Sequence, residues 1–413
     1  MILIIQIIIS ILLIELILNK YLKFLRTSFQ WLILKELDLN IKFSKKLIEK
    51  FYKNSFDKSL GWAPRPNSIK FDEVKSFGEK SKKKYLKVKY QINKYSARFN
   101  PNFEKKRKKI FTFGDSFVFA RHVNDNNTWQ NKLSSLTDSN VVNFGVGNYG
   151  IDQSILRMQK VLKNKKNKIV ILGFVPETIV RIHSCWRHFY EYGNLFAFKP
   201  RFIIKNKNLR LIKNPISKVK ELKNFKKKIS LLKKNDIWYQ KKFKHDLIHF
   251  PLVLSIFKNF PKNFILIFYL TISKLFCSLN YHNKAWRKIL KENSKFVYKS
   301  YLNKEMLNLM TEQIKYFSRV VKKNSGKPMV IIFPYREDLH LISSRNKIFY
   351  SQIINKVSKY VSILDLSESF SKKKNINKYF VNSFYGAHLS RAGNKHCADE
   401  IYNYLIKNKF IIN

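Results

Sequence analysis

From Lys108 onward, short apolar and β-branched runs alternate with stretches of helical periodicity, and this alternation constrains the fold more than any other feature of the chain. Strand-like runs fall at 110–113, 141–144, 169–174, 329–333 and 361–366, with helical patterns at about 129–136, 152–162, 304–322, 347–359 and 391–406. Strands separated by helices predict an α/β domain, a parallel sheet with helices on both faces. Active groups in such sheets collect at the carboxyl ends of the strands. Within 304–322, Met306, Met310, Ile314, Phe317 and Val321 recur at three- and four-residue intervals. That spacing makes one buried stripe, a core face and not a cofactor box.

The alternation fails in three places, which divide the chain. Ile2 to Leu18 is nearly unbroken apolar sequence, interrupted by Gln6 and Glu15 and followed by Lys20, Lys23 and Arg26. Its length meets the lower limit for a bilayer-spanning helix, so residues 1–26 are expected to form a single membrane anchor. Glu15 favours the alternative of an interfacial helix. A cleaved signal peptide is disfavoured, since no basic segment precedes the run and no small-residue cleavage site follows it.

Residues 27–107 are a mixed lead-in, with a turn-forming "GWAPRPN" at 61–67 and a period-two strand pattern at 85–92. A basic insertion at about 180–300 interrupts the α/β domain of 108–413 and is expected to be largely helical. It holds "KNFKKKISLLKK" (223–234) and an apolar run at 263–276 that contains Lys274 and is too short for a clear second span. A helical lid or a membrane-facing patch is expected there.

The 81 Lys and Arg against 27 Asp and Glu give a net charge of +54, a balance that taken alone points to nucleic acid or an anionic membrane. Asn, Ile, Phe and Tyr are enriched together with Lys, as an AT-rich genome produces whatever the function. Zinc-finger, bZIP and RNP-type signatures are absent, so no nucleic-acid partner is expected. Cys185, Cys277 and Cys397 are too far apart for a zinc or disulfide pattern and read as ordinary buried thiols. No cofactor or metal site is expected, and His122, His183, His188 and His396 read as surface or packing residues.

Three polar interruptions sit at strand ends. "IFTFGDSFVFARHV" (110–123) breaks at Gly-Asp-Ser, "NFGVGNYGIDQ" (143–153) is a glycine-rich turn able to aim N–H groups at an anion, and "ILGFVPETI" (171–179) ends in a polar turn. Near the C-terminus, "GAHLSRAGNKHCADEI" (386–401) sets a histidine before a helix. Ser116 by itself is either a nucleophile or a helix cap. Asp152 reads as the N-cap of the helix after it. Asp365, in "SILDLSE", is either a turn-stabilising residue or an acid that orients the histidine.

In this order, across about 108–408, these segments resemble the motif blocks of the SGNH/GDSL hydrolase superfamily. "GWAPRPN" and "YSARFNP" (95–101) are similar to the lead-in of a membrane-associated bacterial branch linked to surface-polysaccharide modification. The resemblance implies a three-layer, flavodoxin-like fold, with Ser116 as nucleophile and His388 as its general base. It also implies an oxyanion hole drawn from the N–H of Ser116, the Gly147–Asn148 turn and a side chain near Thr178. Asn148 stands where the family has a glycine, a mild change because the donor is a backbone N–H and Asn tolerates left-handed backbone. The family's acid, two or three residues before the histidine, is replaced by Tyr385 and Gly386, and Glu177-Thr178 stands where its side-chain amide is expected. The implied functions are a membrane-associated esterase acting on an O-acylated glycan or lipid-linked ester, an O-acyltransferase on the same fold, or a scaffold that has lost the chemistry. The implied location is the bacterial inner membrane.

Overall fold

The computed structural model describes residues 1–76, 84–163, 168–345, 347–381 and 387–411. The chain forms two compact units. One comprises Met1–Lys53, His183–Lys199 and Lys213–Phe296; the other comprises Asn54–Ile182, Pro200–Ile212 and Val297–Asn413.

The second unit is the α/β body. Its strands β1 (Lys109–Gly114), β2 (Asn140–Asn143), β3 (Ile169–Phe174), β4 (Lys327–Ile332) and β5 (Ser362–Asp365) form a sheet in the order β5-β4-β3-β1-β2. Every neighbouring pair is parallel, and the order is that of flavodoxin-like folds. β1, β3 and β4 are buried over nearly their whole length. This is why they read as continuous apolar runs and not as alternating ones.

The longer helices of this unit are α1 (Trp129–Thr137), α2 (Ile151–Val161), α3 (Lys304–Lys323), α4 (Arg336–Arg345), α5 (Ser351–Val357) and α6 (Arg391–Lys407), and Thr178–Arg181 and Ser367–Ser371 form short helical turns. The expected stripe of α3, Met306 through Val321, is buried. Asn303 caps the helix by accepting from the Met306 N–H at 3.0 Å. The long helix expected at 347–359 is shorter, and α4, which the sequence pattern did not indicate, precedes it. One core cluster joins Val118, Trp129, Ile171, Met329, Phe333 and Ile401, taking alternate strand residues from one face of the sheet together with α1 and α6.

Residues 54–107 belong to this unit. Ser68–Ser76 and Lys84–Ile92 pair as an antiparallel hairpin. "YSARFNP" then runs along β2, with the Arg98 N–H donating to Asn143 O at 2.8 Å. The Arg98 side chain is fully buried. Its guanidinium donates to Asp125 and to the carbonyls of Phe119 and Ala120, each at 2.7 Å, and also to Val123 O. One lead-in arginine therefore gathers the carbonyls of the loop that follows Gly-Asp-Ser.

In the first unit the N-terminal helix Ile2–Ser28 is 27 residues long and apolar enough to cross a membrane. The apolar run at 263–276 is not an independent straight span. Helix Lys262–Leu275 follows helix Leu252–Lys258 at a bend of 113°. Cys185 and Cys397 are buried, but Cys277 is exposed, contrary to the reading of all three as buried thiols.

Arg98→Ala strands a buried carboxylate and three carbonyls, and is expected to lower unfolding free energy by about 3–5 kcal/mol. Arg98→Lys should recover only part of that loss, because an ammonium cannot reproduce the planar fork. Urea denaturation of the three proteins checks both, and a loss below about 1 kcal/mol for Arg98→Ala would contradict this role.

Candidate active site

The Gly-Asp-Ser turn is built by packing at its first residue and by hydrogen bonds at its second. Gly114 pairs in register with Gly173 of β3. A Cβ at Gly114 would lie 2.1 Å from Gly173 O and 2.4 Å from the Val118 side chain, so only glycine fits. Asp115 is buried. Its Oδ1 accepts from the Phe117 N–H at 2.9 Å and its Oδ2 from the Val175 N–H at 3.0 Å, linking the ends of β1 and β3. The Asp115 carboxylate is also 3.5 Å from the Arg181 guanidinium. Burial pushes the Asp115 carboxyl up, and Arg181 with the two amide donors opposes that shift.

Ser116 and His388, 272 residues apart in sequence, meet here: Ser116 Oγ lies 2.8 Å from His388 Nε2. The histidine is held by the His block itself. The Val381 N–H donates to His388 O at 2.8 Å, and Ser390 caps α6 by accepting from the Gly393 N–H at 3.2 Å. Asn394 Oδ1 accepts from the Trp129 N–H at 3.1 Å, joining α6 to the start of α1. The imidazole also packs against Phe117, with ring centroids 5.1 Å apart.

A second histidine borders the pair. The His122 ring stands edge-on to His388, centroids 4.6 Å apart at 86°. Of the two readings the sequence left for His122, surface or packing, the structure shows packing, against the imidazole of His388 itself. It has φ 73°, a left-handed conformation uncommon for a side chain of its size. Its N–H donates to Tyr90 OH at 3.0 Å, and its Nε2 is 3.9 Å from Asp72 Oδ2. Burial lowers the His122 pKa to about 4, with the Arg121 charge adding to the shift. Burial likewise holds His388 well below the usual imidazole range, reinforced by His122, Arg121 and Arg181. Burial thus favours the neutral form of the imidazole facing Ser116.

His388 Nδ1 is buried and has no hydrogen-bond partner among the described residues. Tyr385 and Gly386, where the resemblance expects an acid, lie outside the described residues. Asp365 is not joined to the imidazole, and the reading of it as an orienting acid is corrected. Its Oδ1 accepts from Tyr350 OH at 3.1 Å and from the Ser367 N–H at 3.0 Å, at the end of β5. It is the turn-stabilising residue of the two alternatives, since local amide and phenol donors reach it first.

The glycine turn is tied to the end of β1, with the Val146 N–H donating to Gly114 O at 3.0 Å. Asn148 follows with φ 65°, the left-handed geometry that an asparagine accepts. Trp62 of "GWAPRPN" clasps the turn from outside: its Nε1 donates to Gly147 O at 3.1 Å, and its carbonyl accepts from Tyr149 OH. The N–H groups of Ser116, Gly147 and Asn148 donate to no group among the described residues.

Two sequence expectations need correction here. Thr178 is fully buried. Its Oγ1 accepts from the Ile151 N–H at 3.2 Å, at the start of α2, so it supports that helix and is not an exposed oxyanion donor. Asp152 lies inside α2, and Gly150 is the N-cap, because the extended backbone of a cap falls on the glycine.

Glu177 does not face the site as a bare negative charge. It accepts from Arg181 and, at 3.0 Å, from Tyr335 OH. Arg181 thus serves both Asp115 and Glu177 from one buried position, and sequence reasoning missed it. The signal available was its i,i+4 spacing from Glu177. His122 offered no comparable signal, since its approach to His388 depends on the loop that Arg98 holds.

No family model matches the chain, and no curated protein matches it. Among solved structures it is similar to a protein described as a putative lipolytic protein of the G-D-S-L family from Desulfitobacterium hafniense DCB-2. The identity is 12%, the TM-score is 0.35, and the match covers 72% of this chain and 99% of that one. The fold is α/β with a flavodoxin-like strand order, and it sets Gly-Asp-Ser at the carboxyl end of β1 and the histidine just before the last helix.

Asp338 lies behind Tyr335, accepting from its N–H at 3.2 Å. Burial pushes its carboxyl from an ordinary 3.8 up to about 7, and the Glu337 and Glu177 charges add to the shift. Between those values the folded state holds a proton that the unfolded state has released, so stability falls as pH rises through this window. Asp338→Asn keeps the acceptor and removes the titration. It is expected to stabilise the protein above pH ~7, by up to about 4 kcal/mol, and to have little effect near pH ~4. Urea denaturation at the two pH values checks this; an equal effect at both would remove Asp338 as the source.

Proposed function

We propose that this protein is a serine-dependent acyl-transfer enzyme acting on oxygen esters, with Ser116 as nucleophile and His388 as general base. The observation that carries the reading is the 2.8 Å contact between Ser116 Oγ and His388 Nε2 at the carboxyl edge of the sheet. In this reading Nε2 takes the hydroxyl proton as Oγ attacks the ester carbonyl, then returns it to the departing alkoxide oxygen. The amides of Ser116, Gly147 and Asn148 are the candidate oxyanion donors, each worth roughly 2.7–4 kcal/mol in such sites. Water as the second reactant makes the protein an esterase; a sugar hydroxyl makes it an O-acyltransferase. The proposed substrate is an O-acylated glycan or a lipid-linked ester, met at a bacterial inner membrane to which residues 2–18 anchor the chain.

A second reading, a scaffold without efficient chemistry, draws on one observation: His388 Nδ1 has no partner among the described residues. A Ser–His dyad without an acid remains chemically competent, because the third group orients the imidazole and does not itself transfer the proton.

The two readings separate on covalent labelling by a fluorophosphonate probe. Wild-type protein is expected to be labelled, and Ser116→Ala and His388→Ala to lose labelling while retaining the wild-type circular dichroism spectrum. Absence of serine-dependent labelling in folded wild type would falsify the enzyme reading. A further outcome follows from the depressed His388 pKa. The labelling rate should stay level as pH falls from about 8 to 6, whereas an imidazole with a pKa of about 6.5 would lose much of its activity there. An inflection near that value would mean that His388 titrates as an exposed imidazole.

A further inference from the structure

Within the first unit, Glu15 interrupts the apolar N-terminal helix, yet it is buried. Its Oε1 accepts from the Val253 N–H at 3.0 Å, and its Oε2 accepts from the Leu252 N–H at 2.5 Å. These are the first amides of helix Leu252–Lys258, the groups a helix leaves unpaired at its N-terminus. Six residues further along the N-terminal helix, Tyr21 OH donates to Thr271 Oγ1 at 2.6 Å, near the end of helix Lys262–Leu275. The two bent helices are therefore fastened to the N-terminal helix at Glu15 and at Tyr21.

These attachment points set a depth. Glu15 lies five residues before Lys20, where the basic segment begins, or about 7.5 Å along a helix axis. Amphipathic elements lying in a bilayer interface bury their apolar side about 5–10 Å below the headgroups. The outward side of the bent pair has the matching chemistry: Leu254, Phe257, Phe260, Phe264, Phe268 and Leu275 are each at least 49% exposed. On the same N-terminal helix, residues 2–14 are exposed and almost wholly apolar. Lys274 Nζ sits 4.6 Å from the Phe24 ring centroid, at the level where a lysine stem covers apolar surface while its charge reaches water.

We propose that residues 250–276 form a second membrane-inserting element, a bent aromatic wedge seated in the acyl-headgroup boundary of the same leaflet and locked to the anchor by Glu15. Its occupant is phospholipid. The exposed aromatic face continues the apolar surface of the helix that Glu15 and Tyr21 bind. Glu15, unfavourable in a lone span, caps the wedge. The proposal rests on the reading of residues 2–18 as a membrane anchor and is independent of the chemistry at Ser116.

The test uses the full chain in a Cys277→Ser background, which removes the exposed thiol. Single cysteines at Ile9, Phe257, Phe264 and Phe268 carry an environment-sensitive fluorophore, in vesicles of zwitterionic and anionic phospholipid at roughly three to one. Labels at 257, 264 and 268 are expected to be quenched by nitroxides on the acyl chains near the headgroups, and about twofold less by nitroxides at the chain ends. They should be shielded from aqueous iodide. Glu15→Leu should make position 257 accessible to iodide while position 9 stays quenched by lipid nitroxides.

Quenching at position 9 with iodide access at 257, 264 and 268 overturns the wedge and leaves the anchor standing. Iodide access at all four positions overturns both. Shielding from iodide without lipid quenching at the three wedge positions means that protein covers this face, and likewise overturns the proposal.

Discussion

The buried Asp115 carboxylate is the interaction on which the α/β unit's site depends. It takes one amide from the turn it belongs to and one from the end of β3, so the Ser116 turn and the neighbouring strand end cannot move independently. A buried carboxylate requires compensation, and Arg181 supplies it from beneath the third-strand turn. Arg181 in turn engages Glu177, which balances the charge that the turn after β3 otherwise carries. The same turn leaves Gly114 no room for a side chain, because a Cβ there would meet Gly173 O of β3 and the Val118 side chain.

The lead-in supports the site from outside the sheet. Arg98 gathers the carbonyls of Phe119, Ala120 and Val123, and that loop carries His122 to the edge of the His388 ring. Trp62 holds the glycine turn in the same manner. Both belong to the lead-in segments "GWAPRPN" and "YSARFNP". Their importance comes from carbonyls that a loop leaves unpaired and that a buried guanidinium or indole N–H can satisfy. In the other unit Glu15 does comparable work, satisfying amides at a helix N-terminus.

Much of the architecture was legible because burial on both faces leaves a plain signature. The runs of β1, β3 and β4, and the stripe of α3, follow from what a sheet and a helix must hide. Ser116 and His388 were legible through the ordered motif blocks. The misreadings share a cause. Asp152 and Thr178 were assigned at a helix start and after a strand end, where several polar groups compete for the same donors, whereas Asp365 kept the turn-stabilising role that was one of its two alternatives. Backbone geometry decided among them: Gly150 took the cap, Thr178 took the Ile151 amide, and Asp365 took Tyr350 and Ser367.

The sequence by itself determined the alternating elements, the parallel sheet they imply, the long apolar N-terminal helix and the pairing of a Gly-Asp-Ser turn with a late histidine. These follow from local periodicity and from motif order, both of which are written along the chain. Only the tertiary structure decided that His122 borders His388, that Arg181 reaches the Asp115 carboxylate, and that the lone glutamate of the apolar helix caps another helix more than 230 residues away. Each is a contact between groups distant in sequence, chosen by which unpaired donor or acceptor is buried within reach, and no local pattern encodes that choice.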